Sequence, residues 1–302
     1  MQDILKSNTP AFVFDTVALK KRVAQIKEIV GETVSLCYSM KANPFFVPAM
    51  ITCVDKLEVC SPGELTICKK LGVDASRIIY SGVNKEIPDI KEAYEYGVGT
   101  FTAESVRQAD LIQQVVETAA AGEKAEVILR LNSGSQFGMS KEDLLTILQC
   151  RESKYTSLNF TGIHYFVGTQ RKRAKRKIKE LQMLLELFEE IQNKYGLKLK
   201  KLEYGPGFAV PYFEDDDFED TLYPVKELKD TLKQVAQQVD LTIEMGRFFT
   251  AECGTYYTNV ADLKTVGNAH YCILDGGMNH LTYLGQMMGM KTPIIKHHKN
   301  TP

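Results

Sequence analysis

The chain has 302 residues, 44 % apolar and 25 % charged, enough for one large α/β barrel or two ordinary domains around a full core. Lys plus Arg number 37 against 38 for Asp plus Glu, a net charge of −1, which excludes a protein held to nucleic acid or an anionic membrane by bulk charge. No apolar run reaches the roughly 20 residues of a membrane helix, and the opening Met-Gln-Asp-Ile-Leu-Lys has no signal-peptide core, so a cytoplasmic protein is expected. Cys37, Cys53, Cys60, Cys68, Cys150, Cys253 and Cys272 are odd in number and scattered, with no C-x-x-C pair. They read as reduced core thiols, with no disulfide framework and no metal site.

In chain order, short β-branched or apolar runs alternate with longer amphipathic stretches. A helix is predicted over Val17–Val30 and a strand over Val34–Met40, then a short helix at Pro48–Ile51 and a strand at Lys56–Cys60. Helix Pro62–Leu71 leads to strand Arg77–Ser81, helix Ile87–Tyr96 to strand Val98–Thr102, and helix Ser105–Ala119 to strand Glu126–Leu131. The last three units are helix Lys141–Cys150 with strand Phe160–Phe166, helix Lys177–Tyr195 with strand Lys200–Tyr204, and helix Val225–Gln238 with strand Leu241–Glu244. Eight such strands separated by helices predict an α/β fold, a (β/α)8 TIM-type barrel over residues 16–270. No strand–GxGxxG–helix unit supports a doubly wound sheet instead. A ninth strand at Tyr271–Asp275 exceeds the barrel's need and is expected to begin a second domain.

Barrel chemistry collects at the C-terminal ends of the strands. The first strand ends in Tyr38-Ser39-Met40-Lys41-Ala42-Asn43-Pro44. A lysine closing a buried strand is costly to desolvate, and burial would lower its pKa toward that of a Schiff-base amine; a rim lysine reaching water fits the position as well. The second strand ends in Glu58-Val59-Cys60-Ser61-Pro62-Gly63-Glu64 and the sixth in His164-Tyr165-Phe166-Val167-Gly168-Thr169-Gln170. The seventh ends in Tyr204-Gly205-Pro206-Gly207, a turn whose N–H groups suit a phosphate, or simply a turn. The eighth ends in Glu244-Met245-Gly246-Arg247, with acid and base close enough for a structural ion pair. An amine, phosphate-binding turns and a carboxylate at the mouth of one barrel together suit pyridoxal phosphate.

These motifs resemble, in order, those of the fold-type III pyridoxal-phosphate decarboxylases, which include the diaminopimelate and ornithine decarboxylases. The match runs from Thr9-Pro10-Ala11-Phe12-Val13-Phe14-Asp15 through Tyr38–Pro44, Glu58–Leu65, His164–Gln170, Gly205–Tyr212 and Glu244–Arg247 to Asp275-Gly276-Gly277-Met278-Asn279. The resemblance implies that Lys41 carries the cofactor as a Schiff base and that Thr169, Gly205, Gly207 and Arg247 hold its phosphate. It implies that Glu58 belongs to the charge network around the lysine and that Glu244 bonds the pyridine nitrogen, with His164 as a further catalytic candidate or simply a hydrogen-bonded core histidine. Phe166 stands where many members stack a histidine on the ring. A carboxylate at 244 favours decarboxylation; a racemase of the same fold would carry arginine there.

Pro206 replaces the middle glycine of the family's triplet, Met245 replaces its proline, and Leu131–Met139 is shorter than its counterpart. Relatives continue into a β-domain with a Cys-x-x-Asp-type segment and a late tyrosine that reach the partner's site. Only remnants of it, 1–15 and 271–302, are expected here, so the chain reads as truncated or as a fragment. A homodimer is implied, and a non-catalytic or regulatory paralogue is the alternative to an enzyme. The Thr169 and Val210-Pro211-Tyr212-Phe213 variants resemble secondary-metabolism decarboxylases, some acting on an amino acid tethered to an acyl-carrier protein. Arg171–Lys179, with seven basic residues in nine, suits docking of such an acidic carrier, or is a solvated helix start balanced by Glu180, Glu186, Glu189 and Glu190. No aromatic residues interleave the run for nucleic-acid binding.

Overall fold

The computed structural model describes residues 8–119, 123–213, 216, 220–281 and 293–296. The first elements are strand β1 (Ala11–Phe14) and helix α1 (Thr16–Val30). Barrel strands β2 (Ser35–Ser39), β3 (Lys56–Val59), β4 (Ile78–Tyr80) and β5 (Thr100–Ala103) follow, with α2 (Val47–Met50), α3 (Pro62–Lys70) and α4 (Ile87–Tyr96) between them. Next come α5 (Val106–Thr118), β6 (Ala125–Arg130), α6 (Lys141–Gln149), β7 (Leu158–Phe166), α7 (Ala174–Tyr195), β8 (Lys201–Gly205), α8 (Tyr223–Ala236) and β9 (Asp240–Met245). Strands β2 to β9 are all parallel and form a closed barrel, β9 returning to β2 with Glu244 opposite Cys37. Every predicted barrel strand and helix is present, with ends shifted by at most a few residues.

The strands were legible because a sheet covered by helices is apolar on both faces. Several helices begin where the chain offers caps. Ser61, Ser105 and Ser140 accept from the backbone N–H of Glu64, Gln108 and Asp143, and α4 ends on Gly97 in the left-handed region, φ +85°. The largest shift is at α7, which starts at Ala174 rather than at Lys177. Ala174 and Lys177 are both buried on the helix's inner face, so the basic run extends into the first turn.

The chain divides into two units. The first holds the barrel, residues 20–209 and 222–249. Its interior is layered. Near the N-terminal ends of the strands, Lys56 Nζ donates to Thr242 Oγ1 at 3.2 Å, and Glu126 accepts from Thr100, Thr161 and Lys201. Cys37, Ile79 and Ile128 form an apolar layer. Beyond them, at the C-terminal ends, inward positions turn polar again.

The second unit comprises residues 1–19, 210–221 and 250–302. In it β1 pairs antiparallel with β10 (Gly254–Tyr257), and β11 (Val260–Val266) pairs with β12 (Ala269–Leu274) across a bulge at Val260/Asp262. Strands β10 and β11 were not among the predicted elements. Their short, half-polar segments lack the continuous apolar runs that marked the barrel. The ninth strand expected at Tyr271–Asp275 is β12. Asp275 caps this unit's turn, accepting from Thr9, Thr258 and the Asn259 backbone.

Candidate active site

The inward positions of β2, β3, β7 and β9 bring four polar side chains together at the barrel mouth. Ser39, Glu58, His164 and Glu244 are each at most 4 % exposed. Ser39 Oγ lies against both Glu58 Oε2 and Glu244 Oε1, so one hydroxyl ties the two carboxylates. The second oxygen of Glu244 is 3.0 Å from His164 Nε2.

Lys41 sits on the turn Met40–Ala42 just past β2 and reaches back over this cluster. Its Nζ donates to Glu58 Oε2 at 2.9 Å and to Glu244 Oε1 at 3.4 Å, with Cys60 Sγ at 3.9 Å. Of the two readings of this lysine, the structure favours the rim lysine over the desolvated amine of lowered pKa. The side chain is 47 % exposed. Burial works to lower its pKa, but the Glu58 and Glu244 carboxylates outweigh it and hold the ammonium well above the ordinary lysine range. Burial likewise opposes ionisation of Glu244, yet Lys41 and the His164 hydrogen bond prevail and hold its carboxyl well below the usual carboxylate range. Glu244 thus pairs with Lys41 and His164, and the structural ion pair with Arg247 considered from sequence is not formed.

The Phe166 ring faces the same space, 5.8 Å from Lys41 Nζ. It lies against Gly205, where an added Cβ would stand 2.3 Å from Phe166 Cδ2. A glycine there lets an aromatic face line the mouth. Beyond it two loops are sewn together: Arg171 N donates to Gly207 O at 2.9 Å, and Arg171 bridges to Phe208. Gly207 has φ +58°, and a Cβ on it would stand 1.7 Å from Gly168 O. Gln170 is also left-handed, at φ +56°. Such turns present successive N–H groups to an anion. At their edge Arg247 Nη1 lies 3.5 Å from Thr169 Oγ1. All nine residues singled out from the sequence therefore fall within the barrel unit at strand ends, and the structure joins them into an anionic, lysine-bearing half and a loop half.

Three neighbours escaped the sequence reading. Ser39 is the last inward residue of β2 and was noted only as part of a motif. Cys60 follows β3 and faces Lys41; burial, with Glu58 behind it, pushes its thiol well above the ordinary range. Glu203 lies on β8, level with His164. The short loop Leu131–Met139 is closed on itself: Leu131 pairs with Met139, and the Asn132 amide donates to the carbonyls of Ser135 and Phe137. The basic run is only partly exposed. Arg171 forks onto Glu180, which also accepts from Tyr204, while Lys177 is buried and donates to Arg171 O at 2.7 Å.

The site's own features fit pyridoxal phosphate: an amine between two buried carboxylates, an aromatic face, and a turn that a single Cβ would fill. Among the described residues no helix is long and apolar enough to cross a membrane. Comparison with known proteins points the same way. The chain is 27 % identical over 310 residues to the L-glutamyl-[BtrI acyl-carrier protein] decarboxylase of Niallia circulans, covering 95 % of this chain and 72 % of that protein. It is 27 % identical over 292 residues to the diaminopimelate decarboxylase of Aquifex aeolicus, covering 90 % and 67 %. The fold superposes on lysine decarboxylase from Selenomonas ruminantium with a TM-score of 0.84 at 24 % identity, over 99 % of this chain and 79 % of that one. Residues 17–251 match the pyridoxal-binding domain of the pyridoxal-dependent decarboxylases, and the chain belongs to that family.

Proposed function

We propose that this chain decarboxylates an amino acid at the mouth of its barrel, with Lys41 as the attachment point of pyridoxal phosphate. The observation that carries the reading is the Lys41 ammonium held by two buried carboxylates, Glu58 at 2.9 Å and Glu244 at 3.4 Å. When bound, pyridoxal phosphate supplies an aldehyde for amines and a conjugated ring that accepts the electron pair left by departing CO2. Glu244 would hold the ring nitrogen, Phe166 the ring face, and Thr169, Gly205, Gly207 and Arg247 the phosphate.

The protein's own groups prepare this chemistry. Lys41 is charged in the free protein, so it must lose a proton before its amine can act as a nucleophile. Glu58 is placed to take that proton. Glu244, held ionised by Lys41 and His164, is a fixed negative charge. A fixed anion beside the ring nitrogen favours its protonated form, which suits loss of CO2 rather than racemisation.

The substrate reading goes one step further. Lys172, Arg173, Lys175, Arg176 and Lys179 are exposed, and no acidic residue stands in the first turn of α7. Cations at a helix N-terminus oppose its dipole by about 0.3–1 kcal/mol each, so helix stability does not account for them. Their chemistry suits an acidic carrier protein presenting a tethered amino acid, as the Niallia circulans relative's name describes for that enzyme. The protein is read as a cytoplasmic homodimer.

Borohydride reduction with added pyridoxal phosphate, followed by peptide mapping, should place the adduct on Lys41. Lys41→Ala should abolish the near-visible absorbance of the complex. A band that persists in the variant, or an adduct on another lysine, would overturn the assignment. Release of CO2 from free and carrier-linked amino acids then separates the two substrate forms.

A further inference from the structure

Level with His164 on the neighbouring strand lies a third carboxylate that the chemistry above does not use. Glu203, the central residue of β8, is 2 % exposed. Its register neighbours are His164 on β7 and Thr242 on β9. Side chains level with one another on parallel strands point to the same face of the sheet, so Glu203 and His164 share the barrel interior. Neither oxygen of Glu203 has a hydrogen-bond partner among the described residues, and neither has Nδ1 of His164. Buried polar groups are almost always satisfied, and an unpaired buried carboxylate anion is costly. Two orphaned groups on adjacent strands, facing one interior, are each other's natural complement.

The groups around Glu203 are His164 on β7, Glu244 on β9, Glu58 and Lys56 on β3, and the Cys37 thiol on β2. Burial, with Glu244 and Glu58, pushes the Glu203 carboxyl up to about 7 against the opposing pull of His164 and Lys56.

We propose that Glu203 and Nδ1 of His164 share one proton through one bridging water, and that this pair is a positioning device for Glu244. The proton rests either on Glu203 beside a neutral imidazole or on Nδ1 beside a Glu203 anion. In both forms the pair is uncharged, and in both His164 keeps a hydrogen on Nε2. That N–H is donated to Glu244 Oε2 at 3.0 Å, so the carboxylate is both oriented and kept ionised. Loss of the shared proton at higher pH leaves Glu203 as a further anion behind Glu244 and raises Glu244's own affinity for a proton. The link to catalysis rests on the proposed function; the shared proton is a property of the protein with or without cofactor.

The test uses the full chain in both states. Infrared spectra should show a carboxylic-acid C=O band at about pH 6 that is gone by about pH 8. In 15N-histidine-labelled protein the Nδ1 resonance of His164 should move together with that band, at one midpoint. Glu203→Gln keeps the shape and should erase both transitions while leaving borohydride labelling of Lys41 unchanged. With cofactor bound, the variant should also lose a spectral transition at that midpoint. Absence of the acid band, or a band that titrates while His164 Nδ1 stays still, would overturn the shared proton. Failure of Lys41 labelling alongside both titrations would instead count against the proposed function and leave this pair standing.

Discussion

Gly207 offers a quantitative test of how the loop half of the site is built. In Gly207→Ala the new Cβ stands 1.7 Å from Gly168 O and 3.2 Å from Arg171 Cδ, at φ +58°. A carbon–oxygen contact settles at about 3.3 Å, so the Gly168 carbonyl must retreat by about 1.6 Å. That movement opens the Arg171 N to Gly207 O hydrogen bond, worth about 1 kcal/mol net. The left-handed backbone adds about 1 kcal/mol for any residue with a Cβ, and the remaining loop distortion brings the cost to about 3 kcal/mol. Gly196 supplies the control: φ is +63° and an added Cβ meets nothing within 4 Å, so Gly196→Ala should cost only the backbone strain of about 1 kcal/mol. Urea unfolding of the two variants and titration with pyridoxal phosphate provide the assay. Gly207→Ala should lose about 3 kcal/mol and bind the cofactor at least about tenfold more weakly, while Gly196→Ala binds it as the parent does. Equal destabilisation, or unchanged cofactor affinity in Gly207→Ala, would refute the claim that these loops are tightly sewn to hold an anion.

Glu244→Arg should suppress CO2 release far more than cofactor affinity, which steady-state kinetics beside a binding titration will show; parallel losses would contradict the fixed-anion argument. Neutralising Lys172, Arg173, Lys175 and Arg176 together should raise KM for a carrier-linked amino acid and spare a free one, whereas Arg171→Ala should cost stability through Glu180 and Tyr204. Glu203→Gln should also change the pH dependence of stability. The folded carboxyl is raised from the ordinary 4.5 to about 7, so the folded state binds more protons than the unfolded one. The parent therefore loses stability as pH climbs through that interval. Above it Glu203→Gln should be more stable by up to about 3 kcal/mol in denaturant melts, with the advantage vanishing near the ordinary carboxylate pKa.

The barrel was legible because its physics is local. The barrel strands are largely buried on both faces and several helices start on a side-chain cap, so strand and helix runs separate cleanly in the sequence. The site was legible in membership, since Lys41, Glu58, His164 and Glu244 are polar residues closing apolar strands. Its electrostatics were not. Lys41 closes β2 in sequence, but the Met40–Ala42 turn lifts it to a half-exposed position above two carboxylates, and that reverses the direction of its pKa. The basic run shows the same limit. Glu180 draws Arg171 inward and the Arg171 carbonyl takes Lys177, which no count of charges along the chain reveals. Glu203 was invisible for a different reason. The alternation Lys201-Leu202-Glu203-Tyr204 looks like a strand with one wet face, and only closure of the barrel turns that face into its interior.

Closure also explains why the barrel carries so much charge where a core would be cheaper. Glu58, Glu203 and Glu244 are all at most 4 % exposed, and like charges in one interior raise each other's proton affinity. Apolar replacements of buried ionic groups are often neutral or stabilising, so folding alone does not call for this arrangement. The two partners of Glu244 differ in exposure. Lys41 sits half in solvent, where it can exchange partners, while His164 is sealed in the barrel interior with Glu203 on β8 and Arg130 on β6 as its register neighbours. An amine that leaves its carboxylates when a ligand takes it therefore removes positive charge from the outer side of Glu244. His164 then remains as the hydrogen-bond donor holding Glu244 in place. A site built this way keeps its central anion fixed through the departure of its own lysine, which a simple Lys–Glu pair would not do.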